Sequence, residues 1–230
     1  MFISLVIPTF NEAENISIMI DKVFNILKDN GLDGEIIIVD DDSPDGTWEI
    51  AEGLKSIYNI KVLRRLDKKG LSSAVIDGLK MTRGDIIGFM DADMSHPPEK
   101  IPELLAPITS NKSCIVIGSR YVEGARLENW PFHRKVLSKI AALAVRGLTD
   151  VKDPMSGFFF FGRGVIEGLT LCPQGCKIGL EILVKSGCKN IAEVPIVFRN
   201  RKVGKSKLNL RTIFEDLIRI GSLYLIRFTS

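Results

Sequence analysis

Asp91 and Asp93 flank Ala92 at the end of the apolar run Ile86-Ile87-Gly88-Phe89-Met90. Carboxylates one residue apart make an acidic bracket for a hard divalent cation, and a cation so held binds phosphate. The alternative is a solvated acidic turn capping the next helix, since Asp and Ser serve there too. Polar clusters also follow two earlier apolar runs. Pro8-Thr9-Phe10-Asn11-Glu12 follows Ile3–Ile7, and Asp40-Asp41-Asp42-Ser43-Pro44-Asp45-Gly46-Thr47 follows Glu35–Val39. A nucleotide across these clusters would offer its base and ribose to carboxylates and its diphosphate to a metal. Asp42 and Asp45 equally suit an Asp/Pro/Gly turn. Neither GxGxxG nor GxxxxGK[ST] occurs, which argues against dinucleotide and P-loop chemistry.

Cations complement the acids. Arg120 follows the apolar run Ile115–Gly118 after Ser119 and can face the same edge, or it is a surface charge. Arg199, Arg201, Lys202, Lys205, Lys207 and Arg211 form a basic run with no acid between them. Gly204 and Ser206 suit a loop that closes over phosphates, although a basic loop can also be merely solvated or drawn to a membrane. A departing diphosphate needs such neutralisation. A sugar-hydroxyl acceptor would need a general base. A phosphate monoester needs none, because its second pKa is about 6. Asp153, before Ser156-Gly157, can orient an acceptor, support the loop or make a turn. His96, beside Pro97-Pro98, suits a helix start better than a ligand contact, and His133 suits the surface.

The elements that position these residues alternate. Strands are expected at Ile3–Ile7, Glu35–Val39, Lys61–Leu63, Ile86–Met90 and Ser113–Gly118. Helices are expected at Glu12–Lys28, Thr47–Tyr58, Gly70–Met81 and Ile101–Ser110. Such alternation implies an α/β fold with a mostly parallel central sheet flanked by helices. Further on, helices are expected at Arg134–Leu148, Val165–Leu171 and Leu180–Lys185, and a strand at Ala192–Phe198. Gly157–Gly162 reads as an aromatic strand or turn. Leu208–Phe228 reads as an amphipathic helix that either packs on the domain or lies at a membrane interface with its arginines snorkelling. The 230 residues suit a single domain, and the net charge of +3 does not by itself indicate nucleic acid. Cys114, Cys172, Cys176 and Cys188 lack zinc spacing and read as reduced thiols of a cytosolic protein. The first residues read as a strand rather than a signal peptide, and no apolar run approaches a membrane span.

The strings VIPTFNEAENI, EIIIVDDDSPDGT, MDADMSHPP, GSRYVEG and RNRKVGKSKLN, in that order, resemble family 2 glycosyltransferases of the GT-A fold, and within them the dolichol-phosphate mannosyltransferases. The resemblance implies a single catalytic domain over 1–230. Pro8, Phe10, Glu12, Val39 and Asp41 would line the nucleotide pocket. Asp91 and Asp93 would hold Mg2+ or Mn2+ and the nucleotide, with Ala92 packed against the latter. Arg120, Arg134, Arg201 and Lys207 would surround the phosphates of donor and acceptor. Phe10 stands where tyrosine is common. Ser95 stands where some members place a metal-ligating glutamine, so a third protein ligand is open. The implied reaction is inverting transfer of mannose from GDP-mannose to dolichyl or another polyprenyl phosphate, at the cytoplasmic face of a membrane. Small membrane-anchoring subunits are possible partners. A UDP-glucose transferase of the same family and an inactive sugar-nucleotide-binding scaffold subunit are the alternatives. The absence of QxxRW argues against a processive polysaccharide synthase.

Overall fold

The computed structural model describes residues 1–174, 177–200, 218 and 220–225, without the side chains of 132–137. Its strands are β1 (Phe2–Thr9), β2 (Asp33–Asp40), β3 (Ile60–Arg64), β4 (Ile86–Phe89), β5 (Ile115–Ser119), β6 (Arg126–Glu128), β7 (Phe159–Gly162), β8 (Ile191–Pro195) and β9 (Val197–Arg199). Its helices are α1 (Ala13–Asp29), α2 (Thr47–Gly53), α3 (Leu71–Leu79), α4 (Ile101–Thr109), α5 (Phe132–Ala144) and α6 (Ile178–Lys185). Among the described residues the main sheet runs β3-β2-β1-β4-β7-β5-β8, and β6 pairs with β9 apart from it. Neighbours in the main sheet are parallel except β7, which is antiparallel to both β4 and β5.

The apolar strands follow from burial on both faces. Ile3, Leu5 and Ile7 pack with α1 and α4 on one side. Val6, Ile37 and Val39 pack with α3 and α6 on the other. On α1, Ile16, Met19, Ile20, Val23 and Leu27 repeat at helical spacing and are all buried. The four phenylalanines Phe158–Phe161 are fully buried; each stabilises the core by roughly 2–3 kcal/mol.

Several expectations change. The aromatic run is a strand, and it sits in the middle of the sheet rather than at a turn. The helix expected at Val165–Leu171 is absent: a 3-10 turn at Arg163–Val165 gives way to Gly168 at φ 75°, which helical backbone does not adopt. The strand expected at Ala192–Phe198 is two strands, with Ile196 between them and β9 leaving for the second sheet. Cys114 and Cys188 form a disulfide instead of two thiols. The β5–β8 register brings them together: Ile115 pairs with Ile191, and Cys114 N donates to Asn190 O. Cys172 is a free thiol. Of the expected helix at Leu208–Phe228, only 218 and 220–225 lie within the described residues, and these are helical. No helix of the described residues is long and apolar enough to cross a membrane.

Candidate active site

Register sets the site. Thr9 is level with Asp40 at the ends of β1 and β2. Met90 N donates to Val6 O, so Asp91 emerges beside them. Carboxyl ends of parallel strands thus share one edge, where open α/β sheets bind ligands. Asn11, Asp42 and Met94, just past β1, β2 and β4, all have φ between 56° and 60°. A left-handed methionine is rare; Met94 lies on a bend with Ala92 and Asp93, directly after Asp91.

Most acids of the second cluster are braced by the protein. Asp40 accepts from Thr9 Oγ1 at 2.7 Å and from Ser43 N at 2.7 Å. Asp42 pairs with Arg64, which also lies over the Trp48 ring at 4.0 Å. Asp45 accepts from Thr47 Oγ1 at 2.5 Å and from Ala13 N at 3.1 Å. Burial alone would raise its pKa, but these bonds hold it below the usual carboxylate range. Asp41 is gripped by Arg65: Oδ1 accepts from Arg65 Nε at 2.8 Å and also from Nη2, while Oδ2 accepts from Gly70 N at 2.8 Å. Arg65 is itself buried and also reaches Asp77 at 3.3 Å, Ser73 and Gly70 O. Sequence reading missed Arg65. The available signal was charge complementarity across neighbouring strand ends, since Arg64 is level with Asp40.

The other expected pocket residues spread out. Pro8 is level with Val39, whose side chain is fully buried in the α3-side core, so only its backbone is at hand for a ligand. Phe10 is half-buried, with Lys69 Nζ 5.4 Å from its ring centre. Glu12 accepts from Asn15 Nδ2 at 2.8 Å, and its own N–H donates to Thr47. Ala92 belongs to the α1-side core.

Asp91 and Asp93 differ. The Asp93 carboxylate is nearly buried and accepts from Ser95 N at 3.0 Å, whereas the Asp91 side chain is 39% exposed. Gly157 stands against Asp91 and His96. A Cβ there would come within 2.8 Å of Asp91 Oδ2 and 3.1 Å of His96 Cε1. His96 is buried, stacked on Phe158 at 5.4 Å and edge-on to Phe198 at 5.3 Å. Burial pushes its pKa down, against the opposing pull of Asp91 and Asp93. It also precedes a helix start, as its place beside Pro97 and Pro98 suggests: a 3-10 turn begins at Pro98 and leads into α4. Ser95 is buried, with its N–H on Asp93 and its carbonyl accepting from Arg199 N at 3.1 Å. Among the described residues no group of three or more His, Cys, Asp or Glu side chains is arranged to hold a metal. Two carboxylate oxygens nevertheless fit Mg2+ or Mn2+ when ligand phosphates and water complete the shell.

Beyond β7 the charge reverses. Arg120 follows β5, and Asp153, fully buried, takes its N at 2.8 Å, Nε at 2.8 Å and Nη2 at 2.7 Å. Tyr121, Trp130 and Phe198 rings lie 5.3–5.5 Å from the guanidinium. Glu193 of β8 fixes the Asp153 loop by accepting from Lys152 N and Asp153 N at 2.8 and 2.9 Å. Arg120 lines a cleft of about 1000 Å³ whose walls mix Val122, Leu127, Leu143 and Val151 with Lys139, Arg146, Asp150 and Lys152. The side chain of Arg134 and the whole of Arg201 and Lys207 lie outside the described residues.

A mostly parallel sheet with one antiparallel strand inside it, and carboxylates at adjacent parallel strand ends, is the GT-A glycosyltransferase fold. The profile of Glycosyl transferase family 2 matches residues 4–170, and the chain belongs to that family. It is 50% identical over 224 residues to a dolichol-phosphate mannosyltransferase of Pyrococcus furiosus, covering 96% of this chain and 63% of that one. The chain therefore spans a little under two thirds of that relative's length. It is 39% identical to a dolichol-phosphate mannosyltransferase of Mycosarcoma maydis, covering 98% of this chain and 80% of that one. In fold it is similar to glucosyl-3-phosphoglycerate synthase of Mycobacterium tuberculosis, solved with Mn2+, UDP and glucosyl-3-phosphoglycerate. The TM-score is 0.73 at 22% identity, over 98% of this chain and 79% of that one.

Proposed function

We propose that this chain transfers mannose, with inversion, from GDP-mannose to dolichyl or another polyprenyl phosphate. The observation that carries the acceptor is the cleft lined by Arg120 together with Lys139, Arg146 and Lys152 and the apolar side chains of Val122, Leu127, Leu143 and Val151. A lipid phosphate suits it: the chain lies along apolar walls, and the head group meets a fixed guanidinium, which binds phosphate through paired N–H donors. The relatives' names support the same sugar and acceptor.

On the donor side, the edge carrying Phe10, Glu12 and Asp41 takes the nucleoside. Asp91 and Asp93 would hold Mg2+ or Mn2+, which supplies Lewis-acid neutralisation of the departing diphosphate. Arg120, kept in place by Asp153, holds the acceptor phosphate. That phosphate is already nucleophilic, so no described side chain need act as general base. Arg134, Arg201 and Lys207 are proposed to add charge around both phosphates, and Ser95 stands next to the bracket as a possible further ligand.

The proposal includes a peripheral membrane site at the cytoplasmic face. Ile140 and Leu143 on α5 and Ile218 and Leu225 of the terminal helical segment are exposed. Tyr224 OH donates to Ala144 O at 2.8 Å and ties the two together. Large exposed apolar side chains so placed suit an interface.

Thermal-shift titration with GDP and UDP, each with and without Mn2+, tests the donor. GDP with Mn2+ should raise the melting temperature most, by linkage. Equal or greater stabilisation by UDP would favour a uridine donor, and no stabilisation by either would sink the catalytic reading.

A further inference from the structure

Two buried side-chain polar atoms of the described residues lack a hydrogen bond, Glu35 Oε2 and His96 Nδ1. Glu35 Oε2 is ion-paired with Lys61 at 2.9 Å. His96 Nδ1 has no such compensation. It stands 3.7 Å from Asp91 Oδ2, beyond a hydrogen bond. A buried imidazole left so is costly, and such atoms call for an explanation in the working state of the protein.

The ring cannot be the part that moves. Phe158 and Phe198 hold it on two sides, and Pro97 and Pro98 after it are buried. The backbone on its other side is pinned by Ser95 N on Asp93 and by Arg199 N on Ser95 O. Asp91 has room, because its side chain is 39% exposed. A shift of under about 1 Å brings its carboxylate within hydrogen-bond range of Nδ1. Gly157 keeps the space open, since a Cβ there would crowd both groups.

We propose that His96 is a positioning residue for Asp91: its Nδ1–H donates to Asp91 Oδ2 when cation and donor diphosphate are bound, leaving Oδ1 to face the cation. This rests on reading Asp91 and Asp93 as the cation bracket. Carboxylates that ligate metals are themselves commonly hydrogen-bonded, and removing that support weakens metal binding.

The test is Mn2+ affinity, followed by electron paramagnetic resonance in the presence of GDP, without turnover. His96→Phe keeps an aromatic ring in the stack but has no donor. His96→Asn places an amide N–H near the Nδ1 position but leaves the stack underfilled. The expected result is that H96F weakens Mn2+ binding by about 10- to 100-fold, while H96N stays within about threefold of wild type by the same criterion. A purely structural histidine gives the reverse order, with H96F near wild type and H96N impaired, and that order overturns the proposal. Should H96F fail to fold, His96→Gln, whose amide reaches the Nε2 rather than the Nδ1 position, takes its place with the same expectation. A wild-type protein that binds no Mn2+ with GDP refutes the cation bracket itself and the inference with it, a failure separate from any effect of His96.

Discussion

The two halves of the active-site edge hold their charges differently. On the donor half, Asp40, Asp41, Asp42 and Asp45 are each braced by hydroxyls, backbone N–H groups or arginines. Arg65 there has two carboxylate partners, Asp41 and Asp77. On the acceptor half, three hydrogen bonds join Arg120 to the single buried carboxylate of Asp153. The donor half is a redundant network, and the acceptor half hangs on one pair. In the proposed reaction the redundant network would present a fixed face to the nucleotide, and the single braced arginine would concentrate charge on one phosphate.

The sharpest break is Asp93→Ala. It removes one arm of the proposed cation bracket and leaves the core intact, so transfer should fall by at least about 10³-fold with an unchanged circular dichroism spectrum. Asp153→Ala tests the single pair. It strands the Arg120 guanidinium and should cost about 3–5 kcal/mol in urea unfolding. Reducing Cys114–Cys188 also weakens the acceptor half, because the bond closes a separation of 74 residues. Chain entropy puts that near 4 kcal/mol, read as a melting temperature lower by about 10 °C with kcat unchanged. Asp41→Ala is the donor-half counterpart of the Asp153 change. Arg65 keeps Asp77, Ser73 and Gly70 O, so the loss should be smaller, about 1–3 kcal/mol. Equal losses for the two aspartates would erase the contrast.

The mildest effect lies at the far end of the strands. Burial alone would raise the Glu35 pKa, but the Lys61 ammonium beside it and hydrogen bonds from Ser4 Oγ and Arg83 N bring it below its ordinary 4.5. A lowered folded-state pKa gives stability that is present above the unfolded value and lost as pH falls through the folded one. Glu35→Gln should therefore flatten the decline of stability below about pH 4.5, measured by unfolding at stepped pH.

The donor half was largely legible in the sequence. Its strands are apolar because both faces are buried, and its acids sit where parallel strands end. The acceptor half was not. The run Phe158–Phe161 has no period, so nothing in it told that β7 would slot antiparallel between β4 and β5 and separate Asp91 from Arg120. Arg65 was hidden because its partner Asp41 lies on a neighbouring strand, and Cys114 and Cys188 meet only through the β5–β8 register. Gly168 ended a helix that its flanking apolar residues suggested. His96 looked like punctuation beside two prolines, and only the packing around it shows an imidazole nitrogen without a partner.

Incubating the protein with GDP-[14C]mannose, dolichyl phosphate and Mg2+, then extracting with organic solvent, tests the central claim most directly. The account predicts label in the lipid phase as an acid-labile mannosyl phospholipid, abolished by EDTA and by Asp93→Ala. Lipid label that persists undiminished in Asp93→Ala with EDTA present, or its absence from GDP-[14C]mannose while a parallel incubation with UDP-[14C]glucose gives it, would contradict it.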